Sequence, residues 1–295
     1  MNRSLLCTTL ATMLLGPVTR GAEKDPPPPA CENPFFALCM DTHDAKKRSL
    51  SEQARLLKEL GYAGAGHLWL DQVPERLQTL GAAGLKLYQI YIRIDVAPDA
   101  AQPYDARLKE VLPLLKGRDV MLAALMGGGK PSDESRDARA VALLREIAAL
   151  ADATGVKIAL YPHANDWMEK VGDAIRIAEK TDRRNVGVMF NLCHWLRTDT
   201  RRDYAALFAR AGKRLFAVTI NGADEFDSGA GWDKYIQPLG RGSFDMYAFL
   251  RALRRAGYTG PIGLQCYGLP GDAREHLIES MQAWRKYMAR LAAEK

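Results

Sequence analysis

Two short apolar segments, separated by a helical stretch, constrain the fold of this chain more than any other feature. Residues 156–160 and 186–190 are rich in β-forming side chains, and polar, hydrogen-bonding residues follow each of them. Between them, residues 166–182 carry apolar side chains at a helical spacing. The order strand, helix, strand is the unit of a parallel sheet. Parallel α/β folds place their functional groups at the carboxyl ends of the strands, so the residues after these two segments are the first candidates for a site.

The same alternation extends along most of the chain. Besides these two segments, we predict strands at residues 35–40, 62–67, 85–94, 120–126, 215–220 and 261–265. The predicted helices are 49–60, 73–80, 103–115, 132–153, 166–182, 200–211, 243–256 and 272–292. Eight strand–helix units in roughly 260 residues predict one (β/α)8 TIM barrel over residues 35–295. An open doubly wound sheet is the alternative, but no Gly-x-Gly-x-x-Gly follows the first strand.

The N-terminus has a different character from the rest of the chain. Arg3 precedes an apolar run over residues 5–18, and small residues follow at positions 21–22. This pattern is typical of a secretory signal, so we predict that residues 1–22 are a signal peptide and that the protein is exported to the periplasm or the exterior. A disordered tail is the alternative. The apolar run is too short to cross a bilayer, so we predict no membrane span.

Residues 23–34 contain four consecutive prolines and are predicted to form a stiff linker outside the barrel. The chain has a formal net charge of +6. Its positive residues are scattered along predicted helices, as on solvated faces, and no basic tract is interleaved with aromatic residues. We therefore predict no nucleic-acid partner.

Four cysteines remain once the predicted signal is removed: Cys31, Cys39, Cys193 and Cys266. Their spacing matches no zinc-binding pattern. Cys39 and Cys266 fall at the first and last strands, which are neighbours in a closed barrel, so a disulfide between them is one alternative. Buried thiols in the apolar core are the default expectation.

Histidines follow four of the predicted strands, whereas His276 lies in the last helix and is predicted to be on the surface. The four are His43, His67, His163 and His194. Other candidates follow strands or lie in the long loop 221–242: Asp41, Arg93, Asp95, Tyr161, Asn191, Asn221, Trp232, Arg241, Gln265 and Tyr267. Strand ends share one face in a barrel. Neutral amides and phenols suit sugar hydroxyls, so we predict a small sugar or sugar derivative as the ligand. Capping of loop backbone by Asn191 and Gln265 is the alternative.

Two runs near the C-terminus are distinctive, Pro238-Leu239-Gly240-Arg241-Gly242-Ser243-Phe244-Asp245 and Gly257-Tyr258-Thr259-Gly260-Pro261-Ile262-Gly263-Leu264-Gln265. With residues 156–163, 186–196 and 216–221, they make the chain resemble the xylose isomerase-like TIM-barrel superfamily of sugar (phosphate) isomerases and epimerases over about residues 35–290. The resemblance implies the barrel fold and an isomerase or epimerase activity.

The resemblance also implies a divalent metal, held in active members by a glutamate on strand five, an aspartate on strand six, a nearby histidine and a glutamate on strand eight. The matching positions here are Tyr161, Asn191, His194 and Gln265. Hard divalent cations depend on carboxylate charge, and three carboxylates are replaced by neutral groups. We therefore expect no tightly bound metal and no other cofactor, and a divalent metal is implied by the resemblance alone.

Two functions of different classes follow from these observations. The first is an exported sugar isomerase or epimerase that moves a proton next to a carbonyl, with His163 or His194 as general base. Amides such as Asn221 would stabilise the enediolate. Without a metal, keto or oxidised sugars are the expected substrates, and the loop 221–242 with Trp232 and Arg241 is expected to close over the ring.

The second function is a non-catalytic carbohydrate-binding protein that kept the pocket after losing the metal. A nuclease of the related endonuclease branch has less support, because its His/Asp/Glu set is missing from the sequence.

Overall fold

Eight parallel strands close into one barrel in the computed structural model, which describes residues 33–200, 203–225 and 231–294. The strands are β1 (Phe35–Leu38), β2 (Gly64–His67), β3 (Lys86–Asp95), β4 (Met121–Gly127), β5 (Lys157–Leu160), β6 (Val186–Asn191), β7 (Leu215–Ile220) and β8 (Ile262–Gln265). They pair in chain order, and β8 closes the ring on β1. The predicted single (β/α)8 TIM barrel is confirmed. The predicted signal peptide at 1–22 and almost all of the linker lie outside the described residues.

Helices surround this barrel in the described segments. They are α1 (Leu50–Leu60), α2 (Val73–Ala82), α3 (Leu108–Val111), α4 (Asp137–Asp152), α5 (Val171–Thr181), α6 (Leu192–Thr198), α7 (Tyr204–Ala211), α8 (Trp232–Tyr235), α9 (Met246–Arg255) and α10 (Ala273–Ala293). Helix α1 begins with a capping box formed by Ser49 and Glu52 and ends at Gly61, whose φ is 86°. Local sequence signals therefore fix both of its ends.

The apolar side chains form two cores. One fills the inside of the barrel and includes Phe36, Leu38, Met121 and Met189, and the other lies between the strands and the helices. Glycines make room for the inner core: a Cβ on Gly66 would lie 2.2 Å from Leu38 Cδ1. Gly66 of β2 is therefore required by the bulky Leu38 of β1, and Gly64 by the backbone of Lys86 in β3, because a Cβ on Gly64 would lie 1.8 Å from the Lys86 carbonyl oxygen.

Several helix predictions were wrong in their extent. No helix starts at Pro103, because residues 103–104 run extended beside β3: Asp95 N–H donates to Pro103 C=O at 2.7 Å, and Tyr104 bridges Ile94. Helix α3 begins only at Leu108, and a 3-10 turn follows it. Helix α9 is capped by Asp245 rather than Ser243. Two short helices, α6 and α8, were not predicted. At residues 103–104 tertiary pairing overrides the local signal.

Two further expectations concern buried polar groups. His276 was predicted to be on the surface, but it is 7% exposed and packs on the inner side of α10. Cys39, Cys193 and Cys266 are buried free thiols, as the default expectation had them, while Cys31 lies outside the described residues. Across the described ranges, no helix has the length and apolar character needed to cross a membrane.

Candidate functional site

The centre of the barrel mouth is a phenol that receives two amide N–H groups. Tyr161 follows β5, Asn191 ends β6 and Gln265 ends β8, and all three side chains are buried. Asn191 Nδ2 donates to Tyr161 Oη at 2.7 Å, and Gln265 Nε2 lies 3.4 Å from the same oxygen. Parallel strands bring these residues together although up to 104 positions separate them.

The residues at this centre do not fit a divalent cation. The amide oxygens, which would be the ligands, already accept hydrogen bonds: Asn191 Oδ1 from Cys193 Sγ at 2.9 Å, and Gln265 Oε1 from Tyr267 N at 3.1 Å. Burial raises the pKa of Tyr161 well above 10, so its phenol stays neutral. Across the described segments, no three His, Cys, Asp or Glu side chains are grouped to hold a metal ion. The centre therefore lacks both the charge and the free oxygens that a hard cation requires.

We expect the purified protein to retain far less than one divalent ion per chain after dialysis against a chelator. The reason is the neutral, mutually bonded set of Tyr161, Asn191 and Gln265. Elemental analysis of the dialysed protein measures this. A matched positive control is the triple variant Tyr161→Glu/Asn191→Asp/Gln265→Glu, which restores carboxylates at these positions and should gain metal. About one ion per chain in the wild-type protein would contradict the expectation.

Beside this centre, two imidazoles lie next to each other, and both are hydrogen-bonded to the backbone of Ala164. The rings of His163 and His194 lie 4.1 Å apart, centroid to centroid. His194 Nδ1 accepts the N–H of Ala164 at 3.2 Å, so its proton resides on Nε2. His163 Nδ1 lies 3.0 Å from the carbonyl oxygen of Ala164 and therefore donates to it, which leaves Nε2 as a free base. The backbone of Ala164 thus fixes opposite tautomers on the two histidines.

Both imidazoles are held neutral. Burial lowers the pKa of His163 below its usual 6.5, with Asp166 opposing that shift. Burial and the neighbouring His163 lower the pKa of His194 well below 6.5. The His163 side chain remains 35% exposed, whereas His194 as a whole is only 5% exposed. His163 is therefore the more exposed histidine of the pair.

Asp166 lies next to His163 and forms a salt bridge with Arg93. Asp166 Oδ2 lies 3.5 Å from His163 Nδ1, which makes it a charge partner for the imidazolium form rather than a hydrogen-bond acceptor in the neutral form. Its other oxygen accepts Arg93 Nη2 at 2.6 Å. The Arg93 side chain is half exposed and also borders the open mouth. A protonated His163 would therefore be stabilised where it stands.

Two of the predicted site residues serve the loop backbone. His67 Nε2 lies 2.6 Å from Asp71 C=O, and its Nδ1 accepts the Nε–H of the buried Arg76 at 3.3 Å. Asn221 is fully buried and donates to Gly222 C=O and Tyr235 C=O at 2.7 and 2.6 Å. These side chains position the loops after β2 and β7.

The other predicted residues lie around the rim. Trp232 packs edge-on against His194 at 5.2 Å and is 38% exposed, so it covers the histidine pair from the β7 side. The structure does not bring the remaining four to the centre. Asp41 lies 3.9 Å from Arg76, His43 accepts the N–H of Gly268, Tyr267 is 53% exposed, and Arg241 pairs with Glu279 on α10.

Sequence reasoning missed Trp69, Tyr91, Ala164 and Asp166. Tyr91 could have been found, because Gln89, Tyr91, Arg93 and Asp95 alternate along β3 and point into one face. Gly127 and Gly128, predicted only as loop, leave room for the last two of these: a Cβ on Gly128 would lie 1.8 Å from Asp95 Oδ1. The end of β4 is therefore shaped by the polar side chains of β3.

A closed barrel with its polar groups gathered at the carboxyl ends of the strands is the architecture of a TIM-barrel protein with a site at the strand ends. Within this class, the chain belongs to the xylose isomerase-like TIM barrel family, whose model matches residues 54–287. The resemblance noted in the sequence is confirmed.

Individual relatives are distant. The inosose isomerase of Bacillus subtilis (strain 168) is 26% identical over 129 residues, which cover 43% of this chain and 46% of that protein. The inosose isomerase of Bacillus licheniformis is 25% identical over 162 residues, covering 54% and 58%. This chain therefore spans about half the length of the curated relatives it matches.

Solved structures are similar over nearly their whole length. A zinc-bound IolI protein has a TM-score of 0.71 at 18% identity, covering 87% of this chain and 98% of that one. An L-ribulose 3-epimerase has a TM-score of 0.71 at 16% identity, covering 89% and 97%. At these identities the similarity establishes the fold alone.

Proposed function

We propose that this protein moves a proton next to the carbonyl group of a keto or oxidised sugar, as a sugar isomerase or epimerase that works without a bound metal. The family and the names of its relatives, inosose isomerase and L-ribulose 3-epimerase, support the substrate class. The observation that carries the proposal is the pair of neutral imidazoles with opposite tautomers set by Ala164. The export predicted from residues 1–22 remains part of this proposal.

The two histidines have complementary roles in such a reaction. His163 Nε2 has a free lone pair and takes the proton from the carbon next to the carbonyl. His194 Nε2–H donates to the carbonyl oxygen as negative charge develops on it. Asp166 stabilises the resulting imidazolium of His163. If His163 returns the proton to the neighbouring carbon, and the hydroxyl proton of that carbon passes to the former carbonyl oxygen, the product is an isomer. If a water molecule protonates the original carbon from the opposite face, and His163 gives its proton to the resulting hydroxide, the product is an epimer.

Uncharged groups limit the substrates that can react. A positioned base contributes about 10²–10⁴ in rate, and one preorganised donor contributes about 10²–10³. These terms suffice for a proton that a carbonyl already makes acidic, but not for an unactivated aldose. This argument favours ketoses and oxidised sugars.

The test is hydrogen exchange in D2O, followed by proton NMR on inosose, D-allulose, D-tagatose and D-fructose. We expect enzyme-dependent loss of the C–H signal next to the carbonyl for at least one of them. The rate should be constant above about pH 7 and fall at acid pH, with a midpoint below 6.5, because burial lowers the pKa of the base, His163.

Asp166→Asn is the matched variant for this pH profile. Asp166 raises the pKa of His163, so its removal should move the acid limb to still lower pH and reduce the plateau rate. An acid limb that does not move, or no exchange with any of the four sugars, would contradict the proposal.

A non-catalytic carbohydrate-binding protein is the second candidate. The observation that favours it is the mutual bonding of Tyr161, Asn191 and Gln265, which leaves the former metal positions satisfied without a ligand. Sugar binding without exchange would favour this candidate.

A further inference from the structure

An open cleft beside the histidine pair contains an exposed tryptophan. The cleft has a volume of about 870 Å³ and lies between the loops after β2, β3 and β4. Trp69 forms one side of it and is 41% exposed. Ligand cavities for drug-sized molecules span roughly 300–1,000 Å³, and a single sugar ring would occupy only a small part of this one.

The backbone at Trp69 is strained to present this side chain. Its φ is 64°, in the left-handed region that a bulky residue rarely adopts, and Gln72 in the same loop has a φ of 54°. The loop is held in place by His67, which bonds Asp71 C=O at 2.6 Å and is itself held by the buried Arg76. Strain maintained by a buried polar network, in a loop that exposes a large aromatic ring, indicates a binding role.

Other residues that line the cleft supply hydrogen-bonding groups. Arg107 pairs with Asp71 at 2.7 Å and with Asp105 at 2.6 Å, and so joins the loops after β2 and β3 across the cleft. Asp95 and Gln102 also line it. This combination of an exposed indole with carboxylates, an amide and a guanidinium suits a sugar ring. The C–H face of the sugar packs on the indole, and the sugar hydroxyls need both donors and acceptors.

The cleft approaches the reaction centre through Tyr91, Arg93 and Gly127, which line it: a Cβ on Gly127 would lie 3.6 Å from Asp166 Oδ1. The ring of Tyr91 lies 6.5 Å from Trp69 and 5.3 Å from Tyr161, and Arg93 borders the cleft while pairing with Asp166. Two aromatic side chains, Tyr91 and Tyr161, therefore connect a ring stacked on Trp69 to a ring placed at His163, which lies 6.0 Å from Tyr161. These two sugar rings would be those of a disaccharide.

We infer that the Trp69 cleft binds the second ring of a glycoside, so that the substrate is a disaccharide or a related two-ring glycoside rather than a free monosaccharide. This inference rests on the proposed function for the position of the reacting ring at His163. It adds a subsite that selects for substrate length.

The test compares binding of one-ring and two-ring sugars by isothermal titration calorimetry. The probes are D-glucose and D-fructose, set against maltose, cellobiose, trehalose and sucrose. We expect at least one disaccharide to bind wild-type protein about tenfold more tightly than its component monosaccharides.

The Trp69→Ala variant should lose this preference for the disaccharide and keep the wild-type affinity for monosaccharides. Trp69→Phe should retain part of the preference. Leu114→Ala, at an exposed apolar residue outside the cleft, is the matched control and should bind like the wild type.

The outcomes separate this inference from the proposed reaction. Equal affinity for one-ring and two-ring sugars, no binding of any disaccharide, or an unchanged preference in the Trp69→Ala protein would overturn the subsite, even if monosaccharides exchange protons in D2O. A disaccharide preference that depends on Trp69 supports the subsite, even if no proton exchange is found. Thermal unfolding of each variant establishes that it is folded, and Trp69→Phe supplies the test if Trp69→Ala is not.

Discussion

His163→Ala is expected to slow proton exchange on the best ketose by about 10²–10⁴-fold while changing the Kd of that sugar little. His163 is the more exposed histidine of the pair. Its Nε2 is unprotonated because Nδ1 donates to the carbonyl oxygen of Ala164. Without the imidazole ring, the base that breaks the carbon–hydrogen bond is missing. The exposed groups around His163, among them Arg93 and Trp232, remain in place, so binding should persist. Exchange in D2O gives the rate, and calorimetry gives the Kd.

His43→Ala is the matched histidine control. His43 also follows a strand at the barrel mouth, but it is exposed and accepts the N–H of Gly268, away from the pair. Exchange should change by less than a few-fold. Equal losses in the two variants would indicate a general effect on the rim, and unchanged exchange in His163→Ala would contradict the assignment of the base and favour the binding-protein candidate.

The barrel could be predicted from sequence because its signals are local. β7 was predicted with its observed ends, and most other strand ends were within two or three residues, since short runs of β-branched and apolar residues end at polar positions. Local signals fail for helix α3, which was predicted to start at residue 103. Residues 103–104 pair with β3 instead, and the apolar periodicity of residues 103–115 gives no sign of this contact between a loop and a strand.

The candidate site, like the fold, could be predicted only in part from the sequence. Strand ends identified His163, His194, Tyr161, Asn191 and Gln265, because a barrel gathers such positions at one face. What these groups can do depends on features that spacing does not reveal. The tautomers follow from which atoms of Ala164 meet each imidazole, and the exposure of Trp69 follows from a left-handed loop. These depend on backbone conformations that form only once the barrel has closed.

A buried carboxylate lies beside the seam where β8 pairs with β1. Asp44 lies in the loop after β1 with 1% of its side chain exposed. Its oxygens accept N–H groups from Lys46 and from Ala273, the first residue of α10, and both also receive Arg48 Nη1, at 2.8 and 2.9 Å. Arg48 in turn contacts Asp272, the N-cap of α10. Asp44 thus connects the first loop to the last helix, beside the β8–β1 seam.

Asp44→Ala should lower the free energy of unfolding at neutral pH by about 1–3 kcal/mol, because it leaves the buried N–H of Ala273 without an acceptor and removes one of the two carboxylates that pair with Arg48. Burial alone would raise the pKa of Asp44, but these hydrogen bonds outweigh it and hold the pKa below its usual value. A lowered pKa stabilises the fold above the unfolded pKa of about 3.9, and this stabilisation is lost as the pH falls through the folded value. Urea unfolding should therefore show a difference in the free energy of unfolding between wild type and variant at pH 7 that shrinks below about pH 4.

Glu179→Ala is the control. It removes a half-exposed pair with Arg210 and should cost less than about 1 kcal/mol at any pH. A loss in Asp44→Ala no larger than this control, or one independent of pH, would show that the carboxylate does not hold the seam together.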